Sequence, residues 1–236
     1  MQGTSADAAE VARFERLAGE WWNEAGPMRP LHRMNAMRVG WIGARIRKHF
    51  PNPDGLALVD VGCGAGLAAE ALARQGFSVL GIDPSPALIA AAVGHGEGRE
   101  LPLRYRVGVA EQLVEEGVRF PIVTALEVIE HVAEPKRFLD SLAVLAAPGG
   151  LVFLSTINRT LRSLLMAKIG AEYLLRLLPP GTHDWRRFIP PSEIQRLLGG
   201  AGLRLADISG MTFDPICRRW RESRDLSVNY ILMAGA

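Results

Sequence analysis

Cysteine is scarce in this sequence, and long apolar runs are missing from it. The 236 residues include only Cys63 and Cys217, which are too few for a disulfide framework or a four-cysteine zinc site. No stretch reaches the ~18–20 apolar residues that cross a bilayer. Residues 1–10 also lack the basic head and apolar run of a secretory signal. We therefore expect a protein of a reducing, cytosolic compartment.

An excess of charge is missing as well. The 27 Lys and Arg residues nearly balance the 25 Asp and Glu residues, which leaves a formal net charge of +2. So small an excess predicts no nucleic-acid partner. Hydrophobic residues make up 48% of the chain and charged residues 22%, which excludes a disordered chain and predicts a globular protein with a sizeable core.

From residue 56 onward, short apolar runs alternate with helical patterns. This alternation predicts an α/β fold, namely a doubly wound, mostly parallel, Rossmann-like sheet of seven strands with N-terminal helices before it and a helical insertion after the fifth strand. The predicted strands span 56–61, 78–82, 103–107, 122–126, 151–155, 203–208 and 228–233. We interpret 1–236 as one domain, divided into an N-terminal helical segment (1–53), a cofactor-binding half (54–155), an amphipathic insertion (156–189) and the C-terminal part of the sheet (190–236).

A glycine-rich loop lies between the first predicted strand and the helix after it. Gly62, Gly64 and Gly66 alternate with Cys63 and Ala65 there, and glycine lets the backbone turn sharply and approach a ligand closely. Asp83 follows Gly62 by 21 residues, at the end of the next strand. A carboxylate at that position accepts hydrogen bonds from a ribose diol. The pattern therefore predicts a nucleoside-containing ligand, and the alternative is a tight turn followed by an ordinary surface aspartate.

The spacing of the glycines bears on which nucleoside binds. The dinucleotide fingerprint requires glycine at its first, third and sixth positions, whereas Leu67 occupies the sixth position here. Asp60, two residues before the loop, would repel a pyrophosphate but suits an ammonium group. S-adenosylmethionine (SAM) carries a ribose and an ammonium and no phosphate, so these residues favour SAM over NAD.

A second cluster of polar residues follows the fourth predicted strand. If the chain turns helical there, Glu127, Glu130 and His131 share one face and could hold a divalent cation, with Mg²⁺ or Mn²⁺ favoured by the carboxylates and Zn²⁺ allowed by the histidine. The alternatives are His131 as a general base without a metal, or a solvated helix start.

Taken together, these motifs resemble a known enzyme family. The glycine loop, Asp83 and Pro148-Gly149-Gly150-Leu151 resemble class I SAM-dependent methyltransferases. Further segments, over nearly the whole chain, resemble the O-methyltransferases of ubiquinone biosynthesis: Phe14–Ala18, Trp21-Trp22, Pro30–His32, Glu127–His131, Ser155–Arg159, Gly170–Tyr173, Gly181–Trp185 and Val228–Tyr230.

The resemblance implies methyl transfer from SAM to phenolic hydroxyls of polyprenyl catechol and demethylubiquinol intermediates. Carried over by position, it implies SAM contacts at Arg38, Gly62, Asp83 and Leu126. The catalytic residues would be Glu127, Glu130 and His131, which would also be the ligands of a divalent ion, most simply Mg²⁺. Together with Asp60, Gly64 and Gly66 from the loop, these are the predicted site residues.

The sequence departs from the family pattern at two places. Phe120-Pro121 stands where the family usually has Phe-Asp, which puts the local strand pairing in doubt. Leu126 replaces an expected methionine. Neither change removes a reacting group, and the rival interpretations are another small-molecule or quinone-pathway methyltransferase, a nicotinamide-dependent oxidoreductase, or a non-catalytic cofactor-binding scaffold.

The predicted insertion combines apolar and basic residues. Leucines and other apolar residues recur at helical spacing through 157–178, beside four basic residues and one acidic residue. This pattern is typical of a helix on an anionic membrane surface, and the alternative is a lid helix packed on its own domain. We expect a cytoplasmic protein peripherally associated with the inner membrane, with other quinone-biosynthesis enzymes as further partners. His183 and Asp184 could contact the substrate or hold a turn.

Overall fold

The computed structural model describes residues 4–165 and 185–236. Its strands are β1 (Ala57–Val61), β2 (Ser78–Asp83), β3 (Leu103–Val107), β4 (Phe120–Leu126), β5 (Ala146–Ile157), β6 (Arg204–Asp214), β7 (Arg219–Ser223) and β8 (Asn229–Gly235). Its helices are α1 (Ala8–Glu15), α2 (Arg29–His49), α3 (Leu67–Ala73), α4 (Pro86–Gly96), α5 (Ala110–Glu115), α6 (Pro135–Leu145), the single turn α7 (Leu161–Ser163) and α8 (Pro191–Gly200).

The described strands form one sheet in the order β3-β2-β1-β4-β5-β8-β6-β7. The strands from β3 to β5 pair in parallel, whereas β8 is antiparallel to both β5 and β6. The predicted Rossmann-like, mostly parallel sheet is therefore confirmed. The carboxyl ends of β1, β2 and β4 lie at one edge of the sheet, where open α/β folds bind their ligands.

The predicted number of seven strands is wrong by one. β6 continues to Asp214, and β7 pairs with it in antiparallel fashion. The residues of β7, Arg-Trp-Arg-Glu-Ser, carry almost no apolar pattern, and an edge strand needs little of one. This is why the strand escaped detection. The register of β4 is irregular between Phe120 and Ile122, at the proline that departs from the family pattern.

Hydrophobic residues cover both faces of the sheet. Successive strand residues point to opposite faces, so Leu58 belongs to the buried cluster that includes α2 and α3, whereas Val59 belongs to the one that includes α6 and α8. Parallel strands buried on both faces read as continuous apolar runs. This explains why the central strands were visible in the sequence.

Residues 166–184 lie outside the described residues. They make up most of the predicted insertion and include His183 and Asp184. Within the described ranges, no helix is both long and apolar enough to span a bilayer.

Candidate active site

The glycine loop turns back over the end of β2. The amides of Gly62 and Cys63 both donate to the carbonyl oxygen of Ile82, at 2.8 and 3.0 Å. Gly62 has φ +70° and Gly64 has φ +56°, a region that side-chain-bearing residues rarely adopt. A Cβ on Gly62 would come within 2.6 Å of Val128, and one on Gly64 would collide with the ring of Trp21. The loop therefore requires glycine for both conformation and space.

Asp83 lies at the end of β2, as the sequence predicted, and connects this strand to the glycine loop. Its Oδ2 accepts a hydrogen bond from the Gly64 amide at 2.9 Å, and its Oδ1 accepts one from the Ser85 amide at 2.9 Å. Burial raises the pKa of Asp83, although both hydrogen bonds act against that rise. A carboxylate has about four acceptor positions, so two remain for a ribose diol.

Asp60 and Arg38 are buried charges whose hydrogen-bonding capacity is incompletely used. Asp60 Oδ1 accepts from the Thr124 hydroxyl at 2.6 Å. Asp60 Oδ2 and Arg38 Nε have no hydrogen-bond partner among the described residues. Burial raises the pKa of Asp60 to about 6 against the effects of Thr124 and Arg38. Because buried polar atoms are normally satisfied, these two atoms fit the ammonium and carboxylate of an amino-acid ligand.

A cavity of about 690 Å³ connects these residues, a size ordinary for a small-molecule site. Nine of the ten predicted site residues line it: Arg38, Asp60, Gly62, Gly64, Asp83, Leu126, Glu127, Glu130 and His131. Gly66 does not line it; this residue is the N-cap of α3, and a Cβ on it would collide with the Tyr105 side chain. The sequence thus predicted one site from segments that are far apart along the chain.

The two glutamates beyond β4 are held by the neighbouring strand β5. Glu127 Oε1 accepts from the Ser155 hydroxyl at 2.7 Å, and Glu130 Oε2 accepts from the Thr156 hydroxyl at 2.9 Å. Burial, and then the charge of Glu127, raise the pKa of Glu130 to about 7. Arg38 Nη1 lies 3.9 Å from Glu127 Oε1.

The expected shared helix face does not form. Glu127 has φ +57°, and only Ile129–His131 make a short 3₁₀ turn. Within residues 4–165 and 185–236, no group of three metal-ligating side chains is arranged to hold an ion. Glu130 Oε2 accepts from Thr156, and His131 turns its Nδ1 toward Glu10, 2.7 Å away, although both side chains keep further lone pairs. The arrangement as it stands does not fit the predicted metal site.

Residues from the N-terminal segment and from the β6–β7 hairpin complete the cavity. Glu10 and Phe14 of α1 line it together with His131, and the Phe14 ring meets the His131 ring edge-on at 4.9 Å. Phe213 and Trp220, whose rings are 5.9 Å apart, line it from the hairpin. Glu10, Phe213 and Trp220 were not predicted from the sequence, because no local motif marks a residue that reaches a site from a distant segment.

Comparisons with known proteins agree with this geometry. Residues 35–208 match a family model described as a methyltransferase domain. A crystal structure of magnesium protoporphyrin IX methyltransferase from Synechocystis PCC 6803 with bound SAH has a TM-score of 0.62 and 25% identity, over 84% of this chain and 81% of that chain. The sheet and its glycine-loop cavity define a class I SAM-dependent methyltransferase.

Closer relatives narrow the class. A ubiquinone biosynthesis O-methyltransferase from a Methylobacterium species is 47% identical over 98% of this chain and 96% of its own length. One from Cereibacter sphaeroides is 46% identical over 95% of this chain and 94% of its own length. The chain belongs to the ubiquinone biosynthesis O-methyltransferase family.

Proposed function

We propose that this enzyme transfers the methyl group of SAM to phenolic hydroxyls of polyprenyl catechol and demethylubiquinol intermediates in ubiquinone biosynthesis. The observation that carries the proposal is the near full-length similarity to relatives of that name, at 42–47% identity for the first three. The cavity supports this proposal, since the glycine loop, the carboxylate side chains and His131 all line it.

Each part of the cavity has a role in this proposal. Gly62, Gly64 and Asp83 hold the nucleoside, and Asp60 and Arg38 hold the amino-acid end of the cofactor. SAM supplies an electrophilic methyl group on a positive sulfur. The protein must keep sulfur, methyl and phenol oxygen in line and exclude water, and such alignment accounts for much of the acceleration expected.

The phenol must lose its proton to become the nucleophile. A free phenol has a pKa of about 10, so a base near the oxygen is needed at neutral pH. We assign this role to His131. Its Nδ1 is engaged by Glu10, and no hydrogen bond recorded among the described residues uses its Nε2. Nε2 is therefore the atom that can accept the phenol proton.

The assay that tests this function uses a short-chain catechol and radiolabelled SAM. Methylated product is expected with the wild-type chain and not with His131→Ala, whereas SAM affinity should be unchanged in that variant. Absence of methylated catechol with the wild-type chain and a pure substrate would reject the function.

Mg²⁺ remains a prediction from the sequence, and no step is assigned to it. Binding at Glu127, Glu130 and His131 would require these three side chains to converge, since they are not grouped to hold an ion among the described residues. Dialysis against EDTA separates the two possibilities. Turnover that persists after dialysis supports His131 as the base. If turnover is lost and then restored by Mg²⁺, the predicted ion rather than His131 activates the phenol.

We further propose that the enzyme is cytoplasmic and binds the inner membrane peripherally through residues 157–178. A polyprenyl substrate resides in that membrane. At the start of that segment, the side chains of Leu161 and Leu165 are 74% and 57% exposed. Leu161→Asp should weaken flotation with anionic liposomes, while Val144→Asp, on α6, should not. Equal flotation of the two variants would contradict the proposal.

The single domain 1–236 and the contacts with other quinone-biosynthesis enzymes also remain proposals.

A further inference from the structure

The N-terminal helix delivers a carboxylate to the active-site histidine. Glu10 and His131 are 121 residues apart, yet Oε2 of Glu10 lies 2.7 Å from Nδ1 of His131. Both side chains are mostly buried, at 17% and 16% exposure. Both also line the cavity. The contact is therefore inside the site rather than on the surface.

The neighbours of Glu10 keep it in the charged form. Its Oε1 accepts a hydrogen bond from Arg13 Nη1 at 3.0 Å, while its Oε2 meets His131. Arg13 Nη2 lies 3.0 Å from the same Oε2. An ionised carboxylate can only accept hydrogen bonds, so the proton of the shared hydrogen bond belongs to Nδ1 of His131.

This proton assignment determines the chemistry of the other ring nitrogen. A neutral imidazole carries one N–H, so a proton fixed on Nδ1 leaves the lone pair on Nε2. The edge of the Phe14 ring, perpendicular to the imidazole within 6°, also restricts rotation of the ring about its bond to the backbone. The histidine is thus held in the tautomer and orientation that a proton acceptor requires.

The segment before α1 anchors this helix against the site. Ala6 forms an antiparallel bridge with Val132, directly after His131. The carbonyl oxygen of Ser5 accepts from the Ala133 amide at 2.8 Å. At the helix start, Asp7 pairs with Arg187 at 3.0 Å. These contacts join residues just before Glu10 to residues that follow His131. The distance between Glu10 and His131 is therefore maintained by the backbone as well as by side chains.

From this arrangement we infer that Glu10 is a positioning residue for methyl transfer: its carboxylate fixes the tautomer and orientation of His131 and leaves Nε2 free toward the phenol. Glu10 touches neither the cofactor nor the reacting atoms in this scheme. The inference deepens the proposed function and rests on the role of His131 in it.

The test compares Glu10→Ala, Glu10→Gln and the control Glu15→Gln, all on α1, in the full chain. Glu10→Ala should lower kcat by about 10²-fold, the scale of general-base catalysis, with SAM affinity unchanged. Glu10→Gln keeps an acceptor for Nδ1–H and should recover most of that loss. Glu15→Gln should behave as the wild type, because Glu15 does not line the cavity.

A spectroscopic readout separates positioning from a general loss of structure. The ¹⁵N spectrum of the histidine rings, with His131→Gln to identify the resonance, should show Nδ1–H in the wild type and in Glu10→Gln. Glu10→Ala should shift the proton toward Nε2. A wild-type tautomer and a kcat within twofold in Glu10→Ala would overturn the inference, as would a loss of SAM affinity equal to the loss of kcat. If the wild-type chain proves inactive on every catechol, the proposed function fails, while the tautomer shift still decides whether Glu10 fixes the protonation of His131.

Discussion

The cavity has two parts that are built from different lengths of chain. The local part, Asp60, Gly62, Gly64 and Asp83, comes from two consecutive strands and the loop between them, and its Gly64–Asp83 hydrogen bond spans 19 positions. The assembled part contains Glu10, His131, Phe213 and Trp220, and its Glu10–His131 contact spans 121 positions. The local part can be recognised in any chain with this strand-loop-helix unit, whereas the assembled part depends on the whole fold.

The largest expected effect is on the local part. Asp83→Ala removes the proposed ribose acceptor and also the hydrogen bond to the Gly64 amide, and hydrogen bonds to charged groups are worth about 1.5–3 kcal/mol each. We expect SAM affinity to fall by at least about 10²-fold in calorimetry. Asp54→Ala, an exposed aspartate outside the cavity, is the control. Near-wild-type affinity in Asp83→Ala would remove Asp83 from the site.

Gly64→Ala tests where the two parts of the cavity touch, because the added Cβ collides with Trp21 from the N-terminal segment. The left-handed backbone alone costs about 1–2 kcal/mol, so we expect SAM affinity to fall roughly 30-fold once the collision is added. Gly98→Ala is a matched control, since Gly98 has φ +76° with no atom within 4 Å of the added carbon. If both variants lose stability equally and neither loses SAM affinity, the loop does not act as a binding element.

The difference between the parts also explains what could be predicted from the sequence. The central strands, and the places of the glycine loop after β1 and of Asp83 at the end of β2, could be predicted because each follows from a short contiguous pattern. Their binding of SAM stays a prediction. Gly66 stays a prediction, since it is the N-cap residue of α3 and does not line the cavity. The shared face of Glu127, Glu130 and His131 failed because Glu127 adopts a left-handed backbone conformation, with its amide bonded to the Ser155 carbonyl at 2.9 Å. Glu10 could not be found at all, since only the tertiary fold brings it to His131.

The pH dependence of SAM binding examines Asp60. Its pKa is raised to about 6, chiefly by burial, so the unliganded enzyme takes up a proton there as the pH falls through 6. An ammonium group binds the ionised form better, so affinity should be highest above pH 6. Since such a carboxyl is about 90% protonated at pH 5, affinity should fall about tenfold between pH 7 and pH 5. Asp60→Asn should bind weakly with a flat profile, and an unchanged slope in this variant would assign the dependence to another group.

The smallest expected effect concerns the assembled part and its hairpin. Phe213 of β6 and Trp220 of β7 present aromatic surface to the cavity, and neither strand adjoins the glycine loop along the chain. If they contact the apolar tail of the substrate, Trp220→Ala should raise KM severalfold for a long-prenyl catechol and leave KM for a prenyl-free catechol unchanged, since each buried methylene contributes about 0.8 kcal/mol. Ile216→Ala is the control, because Ile216 is 91% exposed at the hairpin turn and does not line the cavity. Equal increases in KM for both substrates would show that the hairpin supports the site as a whole, and the assembled part would then owe its substrate preference to residues nearer His131.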